Sequence, residues 1–107
     1  MSKIYKIEYY VPESHLMSTK QALFDVGAGQ IGNYDSCCWE TLGTGQFRPL
    51  SESTPYLGRV DAIEKVREYK VELICKEQFL QHSIEAMLSA HPYETPAYNY
   101  WPINYVY

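Results

Sequence analysis

"YKVELICKEQFLQHSIEAMLSAHPYETPAYNYWPI", Tyr69 to Ile103, carries the pattern that decides the fold. Tyr69, Val71, Leu73 and Cys75 recur at every second position, the period of a strand with one buried face. From Glu77 to Ala90 the period changes, and Leu80, Ile84, Met87 and Leu88 form one apolar stripe at helical spacing. Pro92 drives the residue before it out of the helical region, so the helix ends there. "PAYNYWPI" then predicts a strand, and its flanking prolines place that strand at a sheet edge.

The same plan occurs earlier in the chain. In Lys3 to Pro12, the positions Tyr5, Ile7, Tyr9 and Val11 share one face of a half-buried strand, with Lys6, Glu8 and Tyr10 on the other. Leu16, Leu23 and Val26, with Ala22 and Phe24 nearby, predict a helix over Glu13 to Val26 that Gly27 stops. "NYDSCCWETLG", Asn33 to Gly43, reads as a second strand. Aligning Lys6 with Lys70 also pairs Glu8 with Glu72, Glu13 with Glu77, Leu16 with Leu80 and Ala22 with Ala86. Two such βαβ halves imply an α+β, ferredoxin-like βαββαβ sandwich with both helices on one sheet face. Between the halves, Gly43 to Val66 is too long for a tight turn and is expected as an extended arm, with short strands around Gln46 to Phe47 and Leu57 to Val60.

The chain has 107 residues, the size of one domain with its own core. A formal net charge of −4 and nine scattered Lys and Arg residues argue against nucleic acid, because neutralising phosphates requires clustered cations. No run approaches the roughly 18 apolar residues of a membrane span, and "MSKIYKIEYY" lacks the apolar region of a signal peptide. Three cysteines, two of them adjacent, do not make a disulfide framework. A soluble, cytoplasmic protein with reduced thiols is expected. The eleven tyrosines suit either sheet propensity or an interface, since each has an apolar ring and a polar tip.

Candidate chemistry is sparse. Gly27 to Gly32 spells G-x-G-x-x-G, yet it follows a helix and precedes a strand, the reverse of a dinucleotide site, and is read as a turn. "GTGQF" lacks the Lys-Ser/Thr of a phosphate loop, although Arg48 beside Gly43 and Gly45 is a candidate anion ligand. Cys37 and Cys38, as strand neighbours, point to opposite faces and cannot grip one metal together. His15 and His82 are expected on solvated helix exteriors. His91 returns to the apolar stripe at the rim of the core, able to bond a strand carbonyl or Glu94. The alternative pairs His91 with Glu94 as ligands of a divalent metal, and two ligands without a third are a weak site.

Longer strings then resemble a known family. "VPESHLMSTKQALFDVGAGQIGNYDSCCWETLGTGQFRP", "PYLGRV" and "AHPYETPAYNYWPI" are similar to the domain inserted in the dinuclear-metal proteins named after NGG-interacting factor three, the YqfO type. The resemblance implies a ferredoxin-like domain related to PII signalling proteins and to CutA, whose members share the "HPYExP" string, here His91, Pro92, Tyr93, Glu94 and Pro96. It implies ring-like homotrimers in which neighbouring subunits cover the open sheet face, with Tyr93, Tyr98, Tyr100 and Trp101 as an aromatic contact surface. Gly43 to Val66 takes the position of the PII T-loop. The metal-binding halves of the full-length family have no counterpart here, so neither their dimetal site nor a GTP cyclohydrolase activity carries over.

The expectation is a stand-alone, non-enzymatic, oligomeric binding or regulatory module without a cofactor, with no membrane partner, and with a small molecule or a protein as ligand. His91, Tyr93, Glu94, Gly43, Gly45, Phe47, Arg48, Cys38 and Trp101 are its candidate binding or interface residues, and no catalytic residue is named. The alternatives are a small metal-dependent enzyme or metal-binding protein using His91, Glu94 and one cysteine, and an accessory subunit of a separately encoded dinuclear-metal protein.

Overall fold

A computed structural model describes residues 3–105. Its elements are β1 (Ile4–Pro12), a 3-10 turn (Glu13–His15), α1 (Leu16–Asp25), β2 (Trp39–Phe47), β3 (Glu64–Lys76), α2 (Glu77–Ala90) and β4 (Tyr98–Ile103). The strands form one antiparallel sheet in the order β2-β3-β1-β4, as the ferredoxin-like expectation requires. The two repeat-related strands β1 and β3 lie side by side in the centre, with Ile7 opposite Leu73 and Tyr9 opposite Val71. β4 is an edge strand, which accommodates Pro102.

Alternation places Ile7, Tyr9 and Val11 of β1 and Val71, Leu73 and Cys75 of β3 under the helices, all buried. Leu16 and Leu23 of α1 and Met87 of α2 close the core from above. Two polar helix residues missing from the expected stripes, Thr19 and Ser83, are fully buried. Each is satisfied locally: the Tyr9 hydroxyl donates to Thr19 Oγ1 at 2.9 Å, and Ser83 Oγ donates to the Phe79 carbonyl at 2.6 Å. Burial pushes the Tyr9 phenol pKa up, so this core hydroxyl stays protonated.

Several boundaries differ from the sequence reading. α2 matches it, but α1 begins at Leu16 because Pro12 and a 3-10 turn intervene, and β4 begins at Tyr98, after Pro96. β2 is not Asn33 to Gly43 but Trp39–Phe47, and β3 begins at Glu64, so a third of the expected arm, at its two ends, belongs to a long β2–β3 hairpin. No strand forms at Leu57 to Val60. Residues 33–38 are instead drawn into a loop, because Gly29 N–H donates to the Ile74 carbonyl and Cys37 N–H donates to the Gly29 carbonyl, both at 2.8 Å. Gly29 has φ +77°, and a Cβ there would strike the Cys37 carbonyl and the Phe24 ring. The G-x-G-x-x-G stretch is therefore turn geometry.

The second sheet face carries no helix. Register places Trp39, Glu72, Glu8 and Asn99 in one row across it, and Ile74, Lys6 and Trp101 in the next. Crossed pairs Lys6–Glu72 (3.7 Å) and Lys70–Glu8 (3.5 Å) span this face, and Glu72 with Glu8 holds the Lys70 ammonium above its ordinary pKa.

Candidate functional site

At the Pro12 end of this open face lies a groove of about 530 Å³, within the range typical of small-ligand sites. One wall is the end of the hairpin and its loop, including Gly45, Phe47, Leu50 and Tyr56; the other is the corner after α2, with Tyr93 and Glu94. Tyr10 and Glu68 also line it. Two stretches far apart in sequence thus meet because β1, which anchors the corner, lies next to β3, which carries the hairpin.

His91 anchors the corner. Pro92 forces it into extended geometry (φ −80°, ψ 138°), and the ring turns back under β1, leaving the residue 7% exposed. Tyr93 N–H donates to Nδ1 at 3.1 Å, which leaves the ring proton on Nε2; Nε2–H donates to the Tyr10 carbonyl at 2.7 Å. Burial lowers the His91 pKa, against the opposing effect of the Tyr10 bond and the Glu68 charge. Both ring nitrogens are engaged by backbone, and Glu94 accepts instead from Thr54 N–H at 3.0 Å. The bond to Thr54 ties the corner to the arm. Among the described residues no three His, Cys, Asp or Glu side chains are grouped as metal ligands.

Tyr93 faces the groove. Its hydroxyl donates to Glu68 Oε2 at 2.7 Å, and its ring lies 6.1 Å from Phe47, 6.3 Å from Tyr56 and 4.9 Å from His91. Burial, reinforced by Glu68, pushes the Tyr93 phenol pKa up. The Glu68 carboxylate lies across Gly45, where any Cβ would collide with it; its Cδ would be 2.6 Å away. A glycine inside a strand thus marks a close approach.

Of the nine candidate residues, Gly45, Phe47, Arg48, Tyr93 and Glu94 line the groove, and His91 supports it. Gly43, Cys38 and Trp101 are not among its lining. Gly43 faces open space in β2, and Trp101 is 40% exposed on the helix-free face. Cys37 and Cys38 precede β2 instead of lying in it; Cys38 packs partly against the core, and burial raises its thiol pKa against the pull of Lys20. The expected aromatic surface also divides. Tyr98 and Tyr100 lie opposite Tyr9 and Ile7 on the helix side, whereas Trp101 lies opposite Lys6 on the other. His82 is solvated as expected, but His15 is partly buried with its ring 5.7 Å from Tyr56. Sequence reading missed Tyr10, Tyr56 and Glu68; the available signal was the strand glycine Gly45, which predicts that something passes close to it.

No protein-family model matches the chain. It is 37% identical over 103 residues, 96% of its length, to a GTP cyclohydrolase 1 type 2 homolog of Staphylococcus epidermidis, and 40% identical over 100 residues to one of Halalkalibacterium halodurans. The chain spans only 28% and 27% of those proteins. A crystal structure of a Bacillus cereus protein related to NIF3 superposes with a TM-score of 0.83 at 35% identity, covering 97% of this chain and 26% of that one. The fold alone is shared with the divalent ion tolerance protein CutA1 of Ehrlichia chaffeensis (TM-score 0.70, 17% identity, 100% and 87% covered). It is shared as well with GlnK of Bacillus subtilis in a structure of its ATP complex (0.65, 12%, 96% and 84%). No helix among the described residues is long and apolar enough to cross a membrane. The chain therefore has the ferredoxin-type fold of CutA1 and GlnK, and in sequence as well as fold it is homologous to one part, about a quarter of the length, of the NIF3-related GTP cyclohydrolase 1 type 2 homologs.

Proposed function

We propose that this chain is a non-enzymatic binding or regulatory module that works in the cytoplasm as a homotrimer, with the groove between arm and corner as its ligand site. The observation that carries this reading is the joint construction of the groove by the hairpin loop and the HPYETP corner. A loop tied to the corner by the Thr54–Glu94 hydrogen bond, beside a strand tied to it by the Tyr93–Glu68 bond, can report occupancy of the groove to whatever the loop touches. The fold likeness to CutA1 and to GlnK, which is named in a complex with ATP, agrees with a binding role. The backbone-bonded His91 argues against the metal-dependent alternative, because ligation would break one of its two bonds. Trp39 and Trp101, 69% and 40% exposed on the helix-free face, supply apolar area for neighbouring subunits.

Native mass spectrometry tests the assembly. A species of about three times the 12.4 kDa chain mass is expected, and a monomer at micromolar concentration would overturn it.

A further inference from the structure

The groove combines aromatic walls with two carboxylates that no ion pair among the described residues engages. The rings of Phe47 and Tyr56 flank that of Tyr93 at 6.1 and 6.3 Å, tilted by 54° and 46°, so they do not stack flat against one another. Two carboxylates line the same space, Glu68 and Glu94. Ion pairs among the described residues join Lys6 to Glu72, Lys20 to Glu40 and Lys70 to Glu8, and none involves Glu68 or Glu94. Among the described residues each of the two accepts one neutral donor, the Tyr93 hydroxyl for Glu68 and the Thr54 N–H for Glu94. A carboxylate has about four lone-pair sites, so each keeps most of its accepting capacity. Arg48 is the sole cation lining the groove, and it is exposed.

We propose that the groove takes an organic cation, an amine or quaternary ammonium carried on an apolar body, with its charged head beside Glu68 and against the rings of Phe47, Tyr56 and Tyr93. Aromatic faces attract a cation within about 6 Å of the ring centre, and the attraction grows as water is excluded. Gly45 has a specific part in this arrangement, since only a residue without Cβ lets the Glu68 carboxylate lie across the strand toward Tyr93. The remaining lining, including Pro49, Leu50, Pro55 and Leu57, fits the apolar body. This inference rests on reading the groove as the module's ligand site.

The test uses three probes that share one benzyl body: benzyltrimethylammonium, benzyl alcohol and benzylphosphonate. Each is titrated into isotope-labelled full-length protein while the amide signals of Gly45, Phe47, Thr54 and Tyr93 are followed. The cation is expected to shift these signals and to bind about tenfold more tightly than the other two. Glu68→Gln should remove most of that preference while keeping an acceptor for Tyr93. Tyr56→Ala, at a side chain that is 49% exposed and so tolerated by the fold, should weaken the cation more than the alcohol. Tighter binding of benzylphosphonate would overturn the cation inference in favour of an anion held by Arg48, and would leave the binding-module reading standing. Equal binding of all three, or a cation preference that survives in Glu68→Gln, overturns it too. Should no probe shift these signals at millimolar concentration, the groove itself is not the site.

Discussion

The Tyr93 hydroxyl donates to Glu68 Oε2 at 2.7 Å, joining the corner after α2 to a strand that lies 25 positions earlier in the chain. Tyr93→Phe removes this bond and keeps the ring contacts with Phe47, Tyr56 and His91. Because both partners are partly exposed, solvent screens the interaction, and a loss of about 1 kcal/mol is expected in urea unfolding. The raised phenol pKa adds a second readout. Stability from a neutral, bonded tyrosine is complete below the ordinary tyrosine pKa and is lost as pH rises toward the raised value, so the wild type should lose stability in alkali more steeply than Tyr93→Phe.

Gly43 and Gly45 occupy the same strand face two residues apart, yet they should respond oppositely to alanine. Nothing lies within 4 Å of a Cβ at Gly43, so Gly43→Ala should be neutral or stabilising by about 0.5–1 kcal/mol through reduced backbone entropy. Gly45→Ala displaces the Glu68 carboxylate, the flexible end of a partly exposed side chain, and should cost about 1 kcal/mol through the weakened bond to Tyr93. Paired thermal melts check both, and equal effects would show that the Glu68 contact is unimportant.

The loop should be dispensable for folding. Asp61 N–H donates to the Pro49 carbonyl at 2.6 Å, so the neck of the loop is already closed. Replacing residues 51–60 by a short glycine linker should leave the far-ultraviolet dichroism unchanged and shift stability by about 1 kcal/mol or less, since loop closure depends only weakly on length. It removes Ser53, Pro55, Tyr56 and Leu57 from the groove wall, and the probe-induced amide shifts should disappear.

Acid should weaken the corner. The His91 pKa lies below the ordinary histidine value because the ring is buried, so its stabilising contribution is complete above about pH 6.5 and is lost as pH falls through the depressed folded value. Protonation of Nδ1 also removes the acceptor for Tyr93 N–H. The groups facing the ring are Tyr10 and Tyr9 of β1, Glu68 of β3, His15 and Tyr93. Urea midpoints of the wild type should fall between pH 7.5 and 5, with a flatter dependence in His91→Ala. At neutral pH that variant should be less stable by about 2–4 kcal/mol, because it leaves a carbonyl and an N–H without their partner.

Added Zn or Mn should leave the melting temperature unchanged. A metal at a hundred times its Kd would add about 2.7 kcal/mol. A rise of that size, abolished in His91→Ala, would restore the metal reading of the corner.

Periodicity in the sequence determined the parts of the fold that depend on local burial. The alternation in Lys3 to Pro12 and Tyr69 to Cys75, the stripe in Glu77 to Ala90 and the repeat between the halves sufficed for the βαββαβ order, because a strand or helix with one apolar face must hide that face against another. The role of His91 was legible for the same reason, since a proline after a helix leaves few places for a ring on the apolar stripe. Tertiary structure alone decided the rest. β2 is exposed over most of its length, so no apolar alternation marks where it begins or ends, and its limits follow from backbone pairing with β3. The groove is likewise invisible in any one segment: Gly45, Glu68 and Tyr93 are distant in the chain, and they meet because the central position of β1 and β3 brings hairpin and corner to the same end of the sheet.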